Sequence, residues 1–336
     1  MVLQGKPAES LQAFRDGLAI IEHLALAHPD NTQWQFDLGV SNERIGDVLF
    51  AQGDLTEAMN SYRAGHQIIS HLAKADPDNA EWQRSLAVSR EKIDDVLVAQ
   101  GRLDEALQSF RDSLAIREHL TQADPKNTEW QRDLSVSYEK IGNVLVQQGK
   151  LAEALQSFRD SLAIREHLTQ ADPKNTKWQR DLSVSYEKIG DVLAKQGEQV
   201  EALQSFRDSL AIRERLAQAD PGNAEWQRDL AISNEHIGDM LVKQDDAKGA
   251  IEAFEGALGA YRKLLESNSD DVQARLFSVV PHVHLAGLDK AKAREHLEAA
   301  LAILEPMAAQ DRLDAHRRGW IGPIKAQLAA LDNPAT

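Results

Sequence analysis

Residues 125–172 read PKNTEWQRDLSVSYEKIGNVLVQQGKLAEALQSFRDSLAIREHLTQAD, and this stretch decides the fold. Asp124-Pro125 ends a preceding helix, because the residue before proline is pushed out of the α region. Asn127 is a candidate N-cap for the next one. From there Trp130, Leu134, Tyr138, Ile141 and Leu145 follow at steps of three and four, which places them on one helical face. Gly149 stops this helix. A second starts at once with Leu151, Ala154, Leu155, Phe158 and Leu162 and runs to Leu168, and Asp172-Pro173 closes the unit. The spacing predicts two antiparallel helices of roughly 20 residues, each about 30 Å long at 1.5 Å per residue.

The same unit recurs along the chain. Trp34, Trp82, Trp130, Trp178 and Trp226 stand 48 residues apart. Pro29, Pro77, Pro125, Pro173 and Pro221 form a second column, and Asn31, Asn79, Asn127, Asn175 and Asn223 a third. On the second helix Ala58, Ala106, Ala154, Ala202 and Ala250 are each followed four residues later by an aromatic: Tyr62, Phe110, Phe158, Phe206 and Phe254. A small residue beside a large one lets two helices approach and interlock. A fixed period of this length indicates a solenoid, one elongated body whose units touch only their neighbours. It overrides the prior of two or three domains for 336 residues.

Ile141-Gly142, Leu145, Gly149, Ala154 and Phe158 resemble the tetratricopeptide repeat (TPR), whose spacing matches the gaps from Gly142 to Ala154 and on to Phe158. Ordinary units of that family have about 34 residues, so these are lengthened at the end near the tryptophan. Ser113–Leu120 and Ser161–Leu168, both SLAIREHL, are similar to the long-helix repeats of kinesin light chains and bacterial signalling proteins. The resemblance implies an all-α, right-handed, TPR-like superhelical solenoid of antiparallel helix pairs. Each Trp then lies in the added first turns, where it pins the extension against the neighbouring helix pair.

The predicted organisation is a single solenoid over 1–331. Residues 1–28 are a lone second helix, and 29–76, 77–124, 125–172, 173–220 and 221–268 are regular units. Residues 269–309 form a divergent unit, 310–331 a capping helix broken near Gly322-Pro323, and 332–336 a tail. Counting back one period from Gly53 and Tyr62 lands on Gly5 and Phe14, so the first helix of that pair is missing. Either the chain is a piece of a longer protein or helix 7–27 caps the array. Ala274 takes the next tryptophan position, and Pro281 is expected to interrupt its helix. Asp94 replaces the glycine found at 46, 142, 190 and 238. A carboxylate there needs a partner or must lean to water, with slight local splaying. The units starting at Gly101 and Gly149 differ at only six positions. This reads as recent duplication or as one surface presented many times.

The formal net charge of −15 opposes binding to nucleic acid or to an anionic membrane. It favours a basic or neutral protein or peptide, or merely keeps a long helical body in solution. The chain has no cysteine, no apolar leader in MVLQGKPAES and no apolar run long enough to span a bilayer, which makes the cytoplasm the default location. Glycine-rich phosphate loops, HExxH and a nucleophile elbow are all missing, so neither an enzyme nor a cofactor is expected. His282, His284 and His296 are the nearest approach to a metal site, but no fixed spacing leads to a fourth ligand.

Family members bind ligands along their first helices. That resemblance carries over to Val136, Glu139, Asn143, Val146 and Gln147 of the 125–172 unit. The Glu column is Glu43, Glu91, Glu139, Glu187 and Glu235; one turn later come Asp47, Asp95, Asn143, Asp191 and Asp239. Four residues apart, the two columns share a face. They predict an acidic concave groove, flanked by aliphatics such as Val40 and Val98, for a partner's Lys or Arg. The competing reading is a set of solvated charges answered by Arg44, Lys92, Lys140 and Lys188. The carboxylate clamp of chaperone-binding members needs Lys and Asn where Glu and Asp stand, and is absent. The function so read is a non-catalytic scaffold. A regulatory segment of a larger bacterial signalling protein and a structural protein that self-associates through its open N-terminal face remain as alternatives.

Overall fold

The computed structural model describes residues 7–332. The helices are α1 (Pro7–Ala27), α2 (Thr32–Ala51), α3 (Leu55–Ala75), α4 (Ala80–Ala99), α5 (Leu103–Ala123), α6 (Thr128–Gln147) and α7 (Leu151–Ala171). They continue as α8 (Thr176–Gln196), α9 (Gln199–Ala219), α10 (Ala224–Lys243), α11 (Ala247–Ser267), α12 (Val272–Leu288), α13 (Ala293–Ala309), α14 (Ala315–Arg318) and α15 (Ile321–Asp332). No strand occurs among the described residues. The architecture is the all-α, TPR-like class of antiparallel helix pairs. The predicted helix end at Gly5 and the tail beyond Asp332 lie outside the described residues.

The chain forms two units, Met1–Leu168 and Thr169–Thr336. In the first, α1 packs on α2, α2 on α3, and so on in series to α6. In the second, α8 packs on α9, α9 on α10, α10 on α11, α11 on α12 and α12 on α13, with α15 against α13. Among the described residues, apart from α15 on α13, these contacts join successive helices, as a repeat stack requires.

The helix ends follow from the residues named above. Each repeat asparagine accepts a hydrogen bond from the tryptophan N–H three residues on, at 3.1–3.2 Å in all five units. One of the orphan donors at the helix start is thereby satisfied. Asp271 does the same for Ala274 at 2.9 Å, so the cap persists after the tryptophan is lost. First helices end at Gly53, Gly101, Gly149 and Gly197, all with φ between +74° and +88°. Asp245 holds the same left-handed place in the next unit at φ 59°.

The Ala column is fully buried, and the aromatics Tyr62, Phe110, Phe158, Phe206 and Phe254 are all buried against the preceding first helix. Glycine makes this approach possible. A Cβ at Gly142 would lie 2.6 Å from the Phe158 ring, and one at Gly190 or Gly238 2.7 Å from Phe206 or Phe254. The tryptophans are half-buried. Trp82 packs on Ile69, Ala73 and Leu86 together with Ile116, which ties α4 to helices on either side.

Three sequence expectations need correction. Asp94 does not lean to water: it is 0 % exposed, with the Ser109 hydroxyl as its neighbouring polar group, while Phe110 opposite stays buried. Pro281 does not interrupt its helix, for α12 runs through it. A proline in a helix interior removes one hydrogen bond, and here the packing of Leu276, Val279 and Ala286 into the terminal core holds the helix together. The terminal break falls at Gly319-Trp320, between α14 and α15, rather than at Gly322-Pro323. Pro323 sits in the first turn of α15, where its missing N–H is not needed.

Candidate functional site

The Glu and Asp columns share the first-helix face, but they sit in different environments. The Glu column is sunk into the helix pairs. Glu91 is buried and meets Arg117 at 3.0 Å; Glu139 meets Arg165 at 2.6 Å and Glu187 meets Arg213 at 2.5 Å. Each arginine comes from the second helix of the same repeat, and all three are buried. They draw further support from nearby polar groups. Ser137 donates to Glu91 at 2.9 Å, and Arg213 donates to the Asp229 carbonyl at 3.0 Å and to Ser233 at 2.8 Å. Arg165 and Arg213 each reach a serine hydroxyl, of Ser135 and Ser183, at 3.3 Å. Ala87 takes that place before Arg117, whose Nε has no partner.

The arginine column starts and stops inside the array. Its position in the 29–76 repeat is Ile69 and in the 221–268 repeat Tyr261. Glu43 is therefore 7 % exposed with one oxygen unpartnered, and burial pushes its carboxyl up to about 7 despite Lys92 nearby. Glu235 accepts a 2.8 Å bond from the Tyr261 hydroxyl, and burial again raises it to about 7. Glu91 is raised by burial as well, against the opposing pull of Arg117 and Lys140.

The Asp column lies further out. The side chains of Asp47, Asp95 and Asp239 are 49 %, 42 % and 47 % exposed, and Asn143 and Asp191 are half-buried. Asp47 and Asp95 each face a lysine, and Asp239 a histidine, from the next first helix. Lys92 pairs with Asp47, which also accepts from the Tyr62 hydroxyl at 2.9 Å. Lys140 pairs with Asp95 at 2.7 Å. His284 Nε2 is 3.6 Å from Asp239. Burial raises Asp191, with His236 as the main opposing influence. Lys92 and Lys140 of the solvated-charge reading thus answer the Asp column, and Lys140 approaches Glu91 only at 3.9 Å. Val40, Val98, Val136 and Val146 are half-buried beside these positions and Gln147 is exposed.

Arg117, Arg165 and Arg213 were legible at the same 48-residue spacing, inside SLAIREHL for the first two and SLAIRERL for the third, although nothing in a surface-like charge signals burial. A second arginine set staples repeats from outside. Arg84 bonds Asp133 at 2.5 Å and Glu129 at 2.8 Å; Arg180 bonds Asp229 at 2.6 Å and Glu225 at 2.9 Å. His282 and His296 approach with Nδ1 atoms 3.0 Å apart, while His284 turns away to stack on Phe254. No group of three or more metal-ligating side chains comes together among the described residues. Nor is any described helix long and apolar enough to cross a membrane.

Within each unit, successive helix pairs repeat the same first-helix face. Residues 95–125, 135–172 and 183–221 match the family model of the tetratricopeptide repeat. Solved structures with the same fold include BtubC (BKLC) from P. vanneervenii, at 15% identity and TM-score 0.58 over 76% of this chain and 90% of that one. The apo form of RapI is similar at 14% identity and TM-score 0.56, over 87% and 95%. A Podosopora anserina protein of kinesin light chain type with nearly identical TPR-like repeats follows at 16% and 0.52, over 69% and 98%. Likeness at this identity concerns the fold alone. No curated protein sequence matches the chain. Arrays of this family are, in general terms, protein-interaction scaffolds.

Proposed function

We propose that the chain binds a protein or peptide segment bearing Lys or Arg along its first-helix face. Contact is made by Asp47, Asp95 and Asn143 in the first unit and by Asp191 and Asp239 in the second. The observation that carries this reading is the half-exposed Asp column, repeated once per unit above a buried Glu column. Glu43, Glu91, Glu139, Glu187 and Glu235 lie below and make no direct contact. Exposed charges of this kind steer and select a partner more than they add raw affinity. The test is affinity capture from the native cell, comparing wild type with a variant carrying Asp47→Asn, Asp95→Asn, Asp191→Asn and Asp239→Asn. Proteins with basic segments are expected with the wild type and lost with the variant at unchanged helicity. Equal capture by both refutes the reading.

Self-association through α1 is a second reading. It is favoured by Leu26 and Ile20, the two most exposed large apolar side chains there, and by Phe14, half-buried where its column is otherwise buried. Light scattering that stays monomeric at every concentration removes it.

A further inference from the structure

One contact between a second helix and the first helix that follows it changes character late in the chain. In the first unit the Tyr138 hydroxyl on α6 donates to Glu118 on α5 at 2.9 Å. The open groove beside this pair is lined by Thr121, Leu134 and Ile164 among others, but by neither member of the pair. Three periods on, in the second unit, Arg262 on α11 stands at the place of Glu118 and His282 on α12 at the place of Tyr138. The His282 ring is turned to His296 on α13, Nδ1 to Nδ1 at 3.0 Å. A cavity of about 400 Å³ opens here, lined by Leu258, Leu265 and Ile303 and by Arg262, Glu266 and His282. Its size falls within the roughly 300–1,000 Å³ of small-molecule sites.

The lining is chemically divided. Leu258, Leu265 and Ile303 supply apolar surface. Arg262 and Glu266 stand one turn apart on α11, opposite charges at a spacing that commonly pairs. Both are exposed, yet they form no hydrogen bond or ion pair with each other or with any other of the described residues. The remaining polar groups of the lining are already engaged. The Tyr261 hydroxyl donates to Glu235 at 2.8 Å and the Ser278 hydroxyl to the Arg275 carbonyl at 2.8 Å. Burial lowers His282 to about 4, with His296 and Arg262 acting in the same sense, so its ring is neutral at neutral pH. What the cavity offers a ligand is one guanidinium, one carboxylate and an apolar surface.

We propose that this cavity binds a free aromatic α-amino acid. The ligand's carboxylate meets Arg262, whose planar fork suits a carboxylate. Its ammonium meets Glu266. Its ring lies against Leu258, Leu265 and Ile303, in the room that the ring of Tyr138 takes up at the equivalent place in the first unit. An α-amino acid carries both charges on one carbon and so answers both side chains at once. A simple carboxylate would stand beside Glu266 as a like charge, and a simple amine would leave Arg262 without a counter-ion. An internal peptide segment offers neither charge from its backbone. The site is built from α11, α12 and α13 and uses none of the aspartates of the basic-partner reading.

The probe is L-phenylalanine, titrated against the full chain at neutral pH and followed by saturation-transfer NMR and calorimetry. It is expected to bind, with hydrocinnamate and phenethylamine, which each lack one of its charges, about tenfold weaker. Arg262→Gln and Glu266→Gln are each expected to weaken L-phenylalanine about tenfold, while Arg207→Gln, an exposed arginine on α9 away from the cavity, leaves it unchanged. His282→Tyr, which returns the residue found at 138, is expected to fill the cavity and abolish binding at unchanged helicity. Absence of L-phenylalanine binding overturns the proposal. So does equal binding of either single-charge analogue, full affinity in either charge variant, or full affinity in a folded His282→Tyr chain. None of these results bears on the basic-partner reading, which is tested at the aspartates.

Discussion

Asp94→Gly should stabilise the first unit, and more so the higher the pH. Asp94 stands where the other repeats have glycine, fully buried opposite Phe110. Burial pushes its carboxyl from 3.8 up to about 7; the Ser109 hydroxyl nearby offsets only part of that. The folded chain therefore binds this proton more tightly than the unfolded chain does. Its penalty is absent below about pH 4, grows as pH rises toward 7 and is complete above that. Three units at about 1.4 kcal/mol each give a penalty on the order of 4 kcal/mol at pH 8. Glycine in a helix interior costs about 1 kcal/mol, so the net gain is about 3 kcal/mol at pH 8 and turns into a loss of about 1 kcal/mol near pH 4. A repeat array need not unfold in one step. The assay is accordingly native-state hydrogen exchange of α4 and α5 at both pH values, with Asp94→Asn as a second variant that removes the charge alone. Equal protection of wild type and Asp94→Gly across pH would refute the argument.

Two further predictions concern the repeat interior. Arg165→Met should cost about 3–5 kcal/mol, because it leaves Glu139 without its counter-ion; a thermal shift near zero would mean that water reaches Glu139. Gly142→Ala should destabilise by about 1 kcal/mol or more, since its Cβ would press on the buried Phe158 ring from 2.6 Å, and overpacking of roughly 1–3 kcal/mol exceeds the propensity gain. A variant as stable as wild type by urea titration would show that the ring has room to move.

The helix pairs were readable because every local signal agrees with the global one. Asn127, Trp130, Gly149, Ala154 and Phe158 each act within a few residues of themselves, through a cap, a positive φ or a facing ring. Such features follow from spacing alone. Pro281 was misread because its effect depends on tertiary packing: the terminal core around Val279 and Ala286 holds α12 continuous where the isolated sequence would favour a break. The candidate face was half legible. Its columns are visible in the sequence, but whether a charge stands in water or in a helix interface depends on a second helix 26 residues away. Glu139 and Asp95 look equivalent on one strip of helix; one meets the buried Arg165, the other the half-exposed Lys140.

That difference bears on how function is to be sought in a repeat. A column that repeats without fault is a requirement of the stack, as the Glu–Arg pairs of the central repeats are, because each copy must solve the same packing problem. Information about a partner sits instead where the column changes while the surrounding geometry does not. The change from arginine to Ile69 or Tyr261 alters the interior and strands a buried carboxyl at Glu43 or ties one to a phenol at Glu235. The change from Lys92 and Lys140 to His236 and His284 keeps an aromatic ring beside the position. Stacking needs a ring contact at that position, which either side chain supplies. Packing is thus indifferent to the exchange.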